Sequence, residues 1–124
     1  MLKIYTYARC DMCRKALKFL RGHKIPFQEI PIRETPPSLG EIRAMREARG
    51  ELRKLFNTSG ADYRAMGLSK KLPAMKEADA LRLLTENGNL LKRPFLIGKN
   101  IHLTGFKQEE WDDAISNCEL RNAG

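Results

Sequence analysis

The sequence predicts an α/β fold: a mixed sheet of about four strands, with a helical insertion between the two halves of the sheet. Three observations carry this. Short runs of β-favouring residues occur early ("LKIYTY", "PFQEIPI") and again late ("FLI", "IHLT"). Amphipathic helical patterns separate and follow these runs. Between them, from about residue 38 to 90, the chain shows helical patterns only.

Taken in order, Leu2 to Tyr7 reads as the first strand, since Ile4, Tyr5, Thr6 and Tyr7 all favour extended backbone. Met12 to Gly22 is helical, with Ala16, Leu17, Phe19 and Leu20 on one inward face and Gly22 as a stop. Pro26 to Ile32 is a second strand, and Pro31 assigns it to a sheet edge or marks its end. A helix then opens at Ser38 with Glu41 three residues on, the spacing of a capping box, and closes at Gly50. "ELRKLF" is a short turn or helix, and "NTSGADYRAMGL" is a turn followed by another short helix. Pro73 to Asn87 reads as one helix with Leu81, Leu83 and Leu84 inward, closed by Gly88. Phe95–Ile97 and Ile101–Thr104 form a hairpin around "GKN", and a final helix from Lys107 to Ser116 is anchored by Trp111 and Ile115. A polar tail follows Cys118 and is expected to fray. Strand–helix–strand, several helices, then strand–strand–helix describes a thioredoxin-like sheet. Residues 1–124 are expected to form one domain, without internal repeat or linker.

The 124 residues are 42% hydrophobic and 31% charged, which fits a folded chain with one ordinary core rather than a disordered one. No stretch has the apolar length of a membrane span, and the N-terminus lacks a secretory leader's apolar block. A cytoplasmic location is therefore expected, without a membrane partner. The net charge of +8 favours anionic partners but is spread along the chain, as a solvated basic surface would be.

Two of the three cysteines lie in "YARCDMCRKAL", where a strand gives way to a helix. Such a Cys-x-x-Cys is redox-active, half a metal site, or two packed thiols. A zinc site needs two more ligands at regular spacing, whereas only Cys118, His23 and His102 remain, all scattered, so no metal is expected. The polar flank of Arg9, Asp11 and Arg14 argues against two fully buried thiols. Redox chemistry is the favoured reading. Cys10 at the helix mouth gains the free N–H groups and positive end of the helix, with Arg14 and Lys15 one turn on. It is the expected nucleophile, and Cys13 the resolving thiol. Cys118 is read as incidental, with a distal resolving role as the weaker alternative.

"YARCDMCRKAL", "LFNTSGADYRAMGL" and "LLKRPFLI" followed by "HLTGF" together resemble the ArsC/Spx family, over nearly the whole chain. This family contains glutaredoxin-coupled arsenate reductases and Spx/MgsR redox regulators, with a thioredoxin-like domain and a helical insertion. The resemblance places the catalytic cysteine at Cys10, an anion-steadying arginine at Arg93 and a cis proline at Pro94. It also departs from the reductases: Asn57 and Gly105 stand where two further oxyanion-binding arginines are expected, with Lys54 or Lys107 as conceivable substitutes. The Cys-x-x-Cys form and the Gly105–Phe106 step resemble the Spx/MgsR branch. The candidate site is thus Cys10 and Cys13 for catalysis, with Arg93, Pro94, Asn57 and Arg14 for substrate or anion binding.

Two readings follow. One is a thiol–disulfide oxidoreductase without a bound cofactor, restored by glutathione, glutaredoxin or thioredoxin. The other is a redox-sensing regulator that binds the RNA polymerase alpha subunit without contacting DNA directly.

Overall fold

Alternation of buried side chains along a central strand organises the molecule. The structure is a computed structural model and describes residues 1–116. In β1 (Leu2–Thr6), Leu2 and Ile4 enter one core while Tyr5 enters another on the opposite face of the sheet. β1 is parallel to β2 (Phe27–Pro31), from Leu2 opposite Phe27 to Thr6 opposite Pro31. It is antiparallel to β3 (Phe95–Ile97), which is antiparallel to β4 (His102–Thr104). The order β2-β1-β3-β4 puts Pro31 on an edge strand, as its missing N–H requires.

Helices cover both faces. α1 (Asp11–Gly22) and α6 (Gln108–Ser116) bury Ala16, Leu20, Trp111 and Ile115 against Leu2, Ile4, Leu96 and Leu103. The insertion covers the other face with α2 (Leu39–Arg49), α3 (Ala61–Ala65), α4 (Leu68–Lys71) and α5 (Glu77–Glu86). There Ile42, Met45, Leu81 and Leu84 pack with Tyr5, Phe95 and Ile97. The result is the thioredoxin-like mixed sheet expected from the element order. Among the described residues, no helix is long and apolar enough to cross a membrane.

Local signals explain most boundaries. Ser38 caps α2 in a reciprocal box with Glu41, and Gly50 ends it in the left-handed region at φ 81°. Glu41 does more than cap, because its carboxylate also accepts from Tyr5 Oη at 2.8 Å and pairs with Lys3 at 3.3 Å, fastening α2 to the central strand.

Three expectations need correction. The helix read over Pro73–Asn87 is broken. Pro73 sits at the start of a 3₁₀ turn, Leu72–Ala74, where its missing N–H is harmless; Met75 and Lys76 are extended, and α5 restarts with Glu77 and Asp79 in its first turn. Gly88 opens a 3₁₀ turn, Gly88–Leu90, rather than closing α5, because a Cβ there would run into the Ile32 carbonyl. The first strand stops at Thr6, where β2 also ends; Tyr7 instead starts a turn closed by Cys10 N–H donating to its carbonyl at 3.0 Å. Cys118 and the tail after it lie outside the described residues.

Candidate functional site

The site begins where β1 and β2 end. The turn from Tyr7 delivers Cys10 to the N-cap of α1 with extended backbone (φ −98°, ψ 115°). Its sulfur takes the role usually filled by a Ser or Asp oxygen, accepting the Cys13 N–H at 3.2 Å. Cys10 is partly exposed and Cys13 is buried, at 1% exposure. The Cys13 S–H, donating to the Cys10 sulfur, is the largest influence on the Cys10 pKa; with the Cys13 and Met12 N–H groups and the Arg93 guanidinium it brings that pKa down to about 6, against the opposing effect of burial. The same contact and burial push the Cys13 thiol well up. One sulfur is therefore largely thiolate near neutral pH, and its neighbour remains a proton-bearing thiol.

Arg93 reaches this site through backbone pairing of the insertion with the strand leading into β3. Phe56 bridges Leu91, Asn57 N–H donates to the Leu90 carbonyl at 2.7 Å, and Lys92 N–H donates to the Leu55 carbonyl at 2.8 Å. This pairing brings Asn57 and Arg93 to one hollow. The Arg93–Pro94 peptide is cis. Arg93 lies over the Tyr7 ring, its Cζ 4.7 Å from the centroid.

The hollow is about 220 Å³ in volume and is lined by Tyr7, Arg33, Asn57, Asp62, Asn89 and Arg93 among others. It touches the cysteine end through two groups: Tyr7, whose carbonyl holds Cys10 N–H, and Arg93, whose charge acts on the Cys10 sulfur. Asn57 and Arg93 thus fall together, as the sequence resemblance implies. Arg14 does not line this hollow; it is 66% exposed and lies 3.6 Å from Asp11 on the same helix.

Gly105 adopts φ 74°, with its N–H on the Pro94 carbonyl at 2.9 Å and its carbonyl accepting from Trp111 Nε1 at 3.0 Å. A Cβ there would meet Lys92 Cε at 2.9 Å. An arginine at this position is therefore disfavoured by the backbone, while the flexible end of Lys92 beside it can move aside; Lys92 is the cation next to Gly105, whereas Lys54 and Lys107 are exposed.

The sequence reading missed Tyr7 and Arg33. By sequence Tyr7 reads as the end of a strand, and Arg33 is one of many basic residues without a motif of its own. Their signal was positional: both follow the C-terminal ends of paired parallel strands, where ligands gather in α/β sheets. Among the described residues, no group of three or more His, Cys, Asp or Glu side chains is placed to hold a metal ion.

A four-stranded mixed sheet with cysteines at the start of its first helix, beside a cis-proline strand, defines a thioredoxin-like protein. The ArsC family model matches residues 5–114, and the chain belongs to the ArsC family. It is 42% identical over 113 residues to the uncharacterized protein YusI of Bacillus subtilis, covering 90% of this chain and 96% of that one. It is 33% identical to the global transcriptional regulator Spx of Enterococcus faecalis, over 89% of this chain and 83% of the relative. The crystal structure of an ArsC family related protein from Bacteroides fragilis superposes with a TM-score of 0.85 at 37% identity, covering 91% of this chain and 96% of that one.

Proposed function

We propose that the protein is a thiol–disulfide oxidoreductase with Cys10 as nucleophile and Cys13 as resolving thiol. The observation that carries this reading is the pairing of a partly exposed Cys10, its pKa lowered to about 6, with a buried protonated Cys13 donating to it. The Cys10 thiolate attacks one sulfur of a substrate disulfide, forming a mixed disulfide and releasing the other sulfur as thiolate. Cys13 then gives its proton to solvent or to the departing thiolate and attacks the Cys10 sulfur. This frees the second substrate thiolate and leaves a Cys10–Cys13 disulfide, so two electrons have passed to the substrate. Glutathione, or a glutaredoxin or thioredoxin, restores the dithiol. Arg93 steadies negative charge on the reacting sulfurs. No bound cofactor takes part, and the setting is a reducing cytoplasm.

Likeness to a protein named as a global transcriptional regulator supports a second reading. In that reading the Cys10–Cys13 pair is a switch and RNA polymerase is the partner. A coupled assay separates the two. Catalytic consumption of reductant with hydroxyethyl disulfide, in the presence of glutathione and glutaredoxin or of thioredoxin, supports the enzyme. Absence of turnover, together with a stoichiometric complex with purified RNA polymerase that depends on the redox state of the pair, supports the regulator and overturns the enzyme.

A further inference from the structure

We propose that the hollow beside Cys10 receives the amino-acid head group of a small thiol or disulfide, with its carboxylate between Arg33 and Arg93 and its ammonium toward Asp62. The proposal deepens the oxidoreductase reading, which supplies the sulfur chemistry, but the receptor itself is argued from its own residues.

Arg33 and Arg93 share one aromatic ring. Arg33 Cζ lies 5.1 Å and Arg93 Cζ 4.7 Å from the centroid of Tyr7, and Arg33 Nη1 donates to Tyr7 Oη at 3.1 Å. Stacking on an aromatic face fixes the plane of a guanidinium and leaves its remaining N–H groups in a defined fork. Two such forks around one hollow repel each other unless an anion lies between them. Arg14, Arg46, Arg49 and Arg82 each have a carboxylate within 4.0 Å. Among the described residues, neither Arg33 nor Arg93 has one; Arg9, Arg21, Arg43, Arg53 and Arg64 also lack one, but only Arg33 and Arg93 line this hollow and share its ring.

The same hollow carries one acid. Asp62 Oδ2 accepts from Asn87 Nδ2 at 3.0 Å and from Asn89 Nδ2 at 3.4 Å, which positions the carboxylate. Among the described residues no donor reaches its Oδ1, and Asp62 forms no ion pair. A purely anionic ligand would meet this charge with repulsion. A group with a carboxylate at one end and an ammonium at the other satisfies both. The volume of about 220 Å³ equals the share of roughly seven waters and falls below the roughly 300–1,000 Å³ of sites that enclose drug-sized ligands. It suits an amino-acid head group.

The test is equilibrium binding of S-methylglutathione to the full-length reduced protein, by calorimetry or by NMR titration. The probe carries the head group and a sulfur that cannot exchange, so the result stands whether or not disulfides are turned over. Loss of turnover with binding retained would count against the oxidoreductase reading alone. Arg33→Gln should weaken binding about tenfold, the effect of one charge-assisted contact, with Arg33→Lys intermediate because it keeps the charge and loses the fork. Asp62→Asn should weaken S-methylglutathione several-fold but leave its N-acetylated derivative, already weak, unaffected. Arg43→Gln, an exposed change of the same net charge on α2, should do nothing. Thermal melts confirm that each variant is folded. No binding to the wild-type protein at millimolar concentration, or dissociation constants within twofold for Arg33→Gln and Asp62→Asn, would overturn the proposal. So would tighter binding of arsenate or sulfate than of S-methylglutathione at the same arginines, which would assign the hollow to inorganic oxyanions.

Discussion

Replacing Cys13 by alanine separates the donors that hold the Cys10 thiolate. The substitution removes the S–H, the strongest of the influences lowering the Cys10 pKa to about 6, and keeps both the Cys13 N–H at 3.2 Å and the Arg93 guanidinium. A hydrogen bond to a charged acceptor is worth about 1.5–3 kcal/mol. An S–H is a weak donor, and Cys10 is open enough to solvent for screening to reduce the effect, so the low end applies. About 1.4 kcal/mol is one pKa unit, which moves Cys10 to about 7. The assay is the pH dependence of iodoacetamide alkylation, checked by thiolate absorbance in the ultraviolet. Cys13→Ser restores a donor and should titrate at or below the wild-type value. A Cys13→Ala protein still titrating near the wild-type value would show that the S–H contributes nothing. A midpoint at the ordinary thiol value, about 8.5, would show that the N–H and Arg93 contribute nothing. Stability must follow the same sign. Because the folded-state pKa is depressed, the thiolate's contribution to folding is fully present above about 8.5 and is lost as pH falls through about 6. The stability gap between wild type and Cys13→Ala therefore opens as pH rises from about 6 to about 7 and stays constant above that.

Further outcomes follow from the same geometry. Limiting iodoacetamide near neutral pH should label Cys10 before the buried Cys13, and faster labelling of Cys13 would reverse the assigned roles. Mass spectrometry of oxidised protein should find two hydrogens missing from a peptide containing Cys10 and Cys13, and a bond to Cys118 instead would refute the pairing. Arsenate turnover with glutathione and glutaredoxin should be far below turnover on a small disulfide, and Asn57→Arg should raise it; the companion change at Gly105 is a poorer test because its φ of 74° strains any residue with a side chain. No gain from a folded Asn57→Arg protein would remove the electrostatic explanation. Gly88→Ala should cost about 1–3 kcal/mol, in line with overpacking elsewhere, because its Cβ is directed at the Ile32 carbonyl; an unchanged melting temperature would contradict that crowding.

The sequence made the sheet legible where local preference and burial pull the same way. Ile4 and Tyr5 are both β-formers and fill opposite cores, and the Ser38–Glu41 box and Gly50 bracket α2 with purely local chemistry. It misled around Met75, where a continuous apolar pattern conceals a chain that extends and restarts, a choice made by the packing of Leu81 and Leu84 against α2 and the sheet rather than by the segment itself. The cysteine pair could be read because its chemistry lies within one helical turn. The arginine–tyrosine stack could not, since Tyr7, Arg33 and Arg93 come from three separate chain segments and meet only when β1 and β2 pair and the Phe56–Leu91 bridge closes. Arg14 illustrates the converse: neighbouring in sequence suggested a role, while the turn of α1 carries it to Asp11 and open solvent.

Because the Cys10 sulfur is also the N-cap of α1, chemical trapping of that thiol is not structurally silent. Alkylation turns a charged acceptor into a neutral thioether, and the first turn loses a partner for the Cys13 N–H; loss of a side-chain cap elsewhere costs about 0.5–2 kcal/mol. A blocked sample therefore stands in poorly for the reduced state, and its altered helix end would be mistaken for a response to oxidation. Among inactive variants, Cys10→Ser keeps an acceptor at the cap and Cys10→Ala does not. The serine form is the one whose surface around Asp11, Met12 and Arg14 should match that of the working protein.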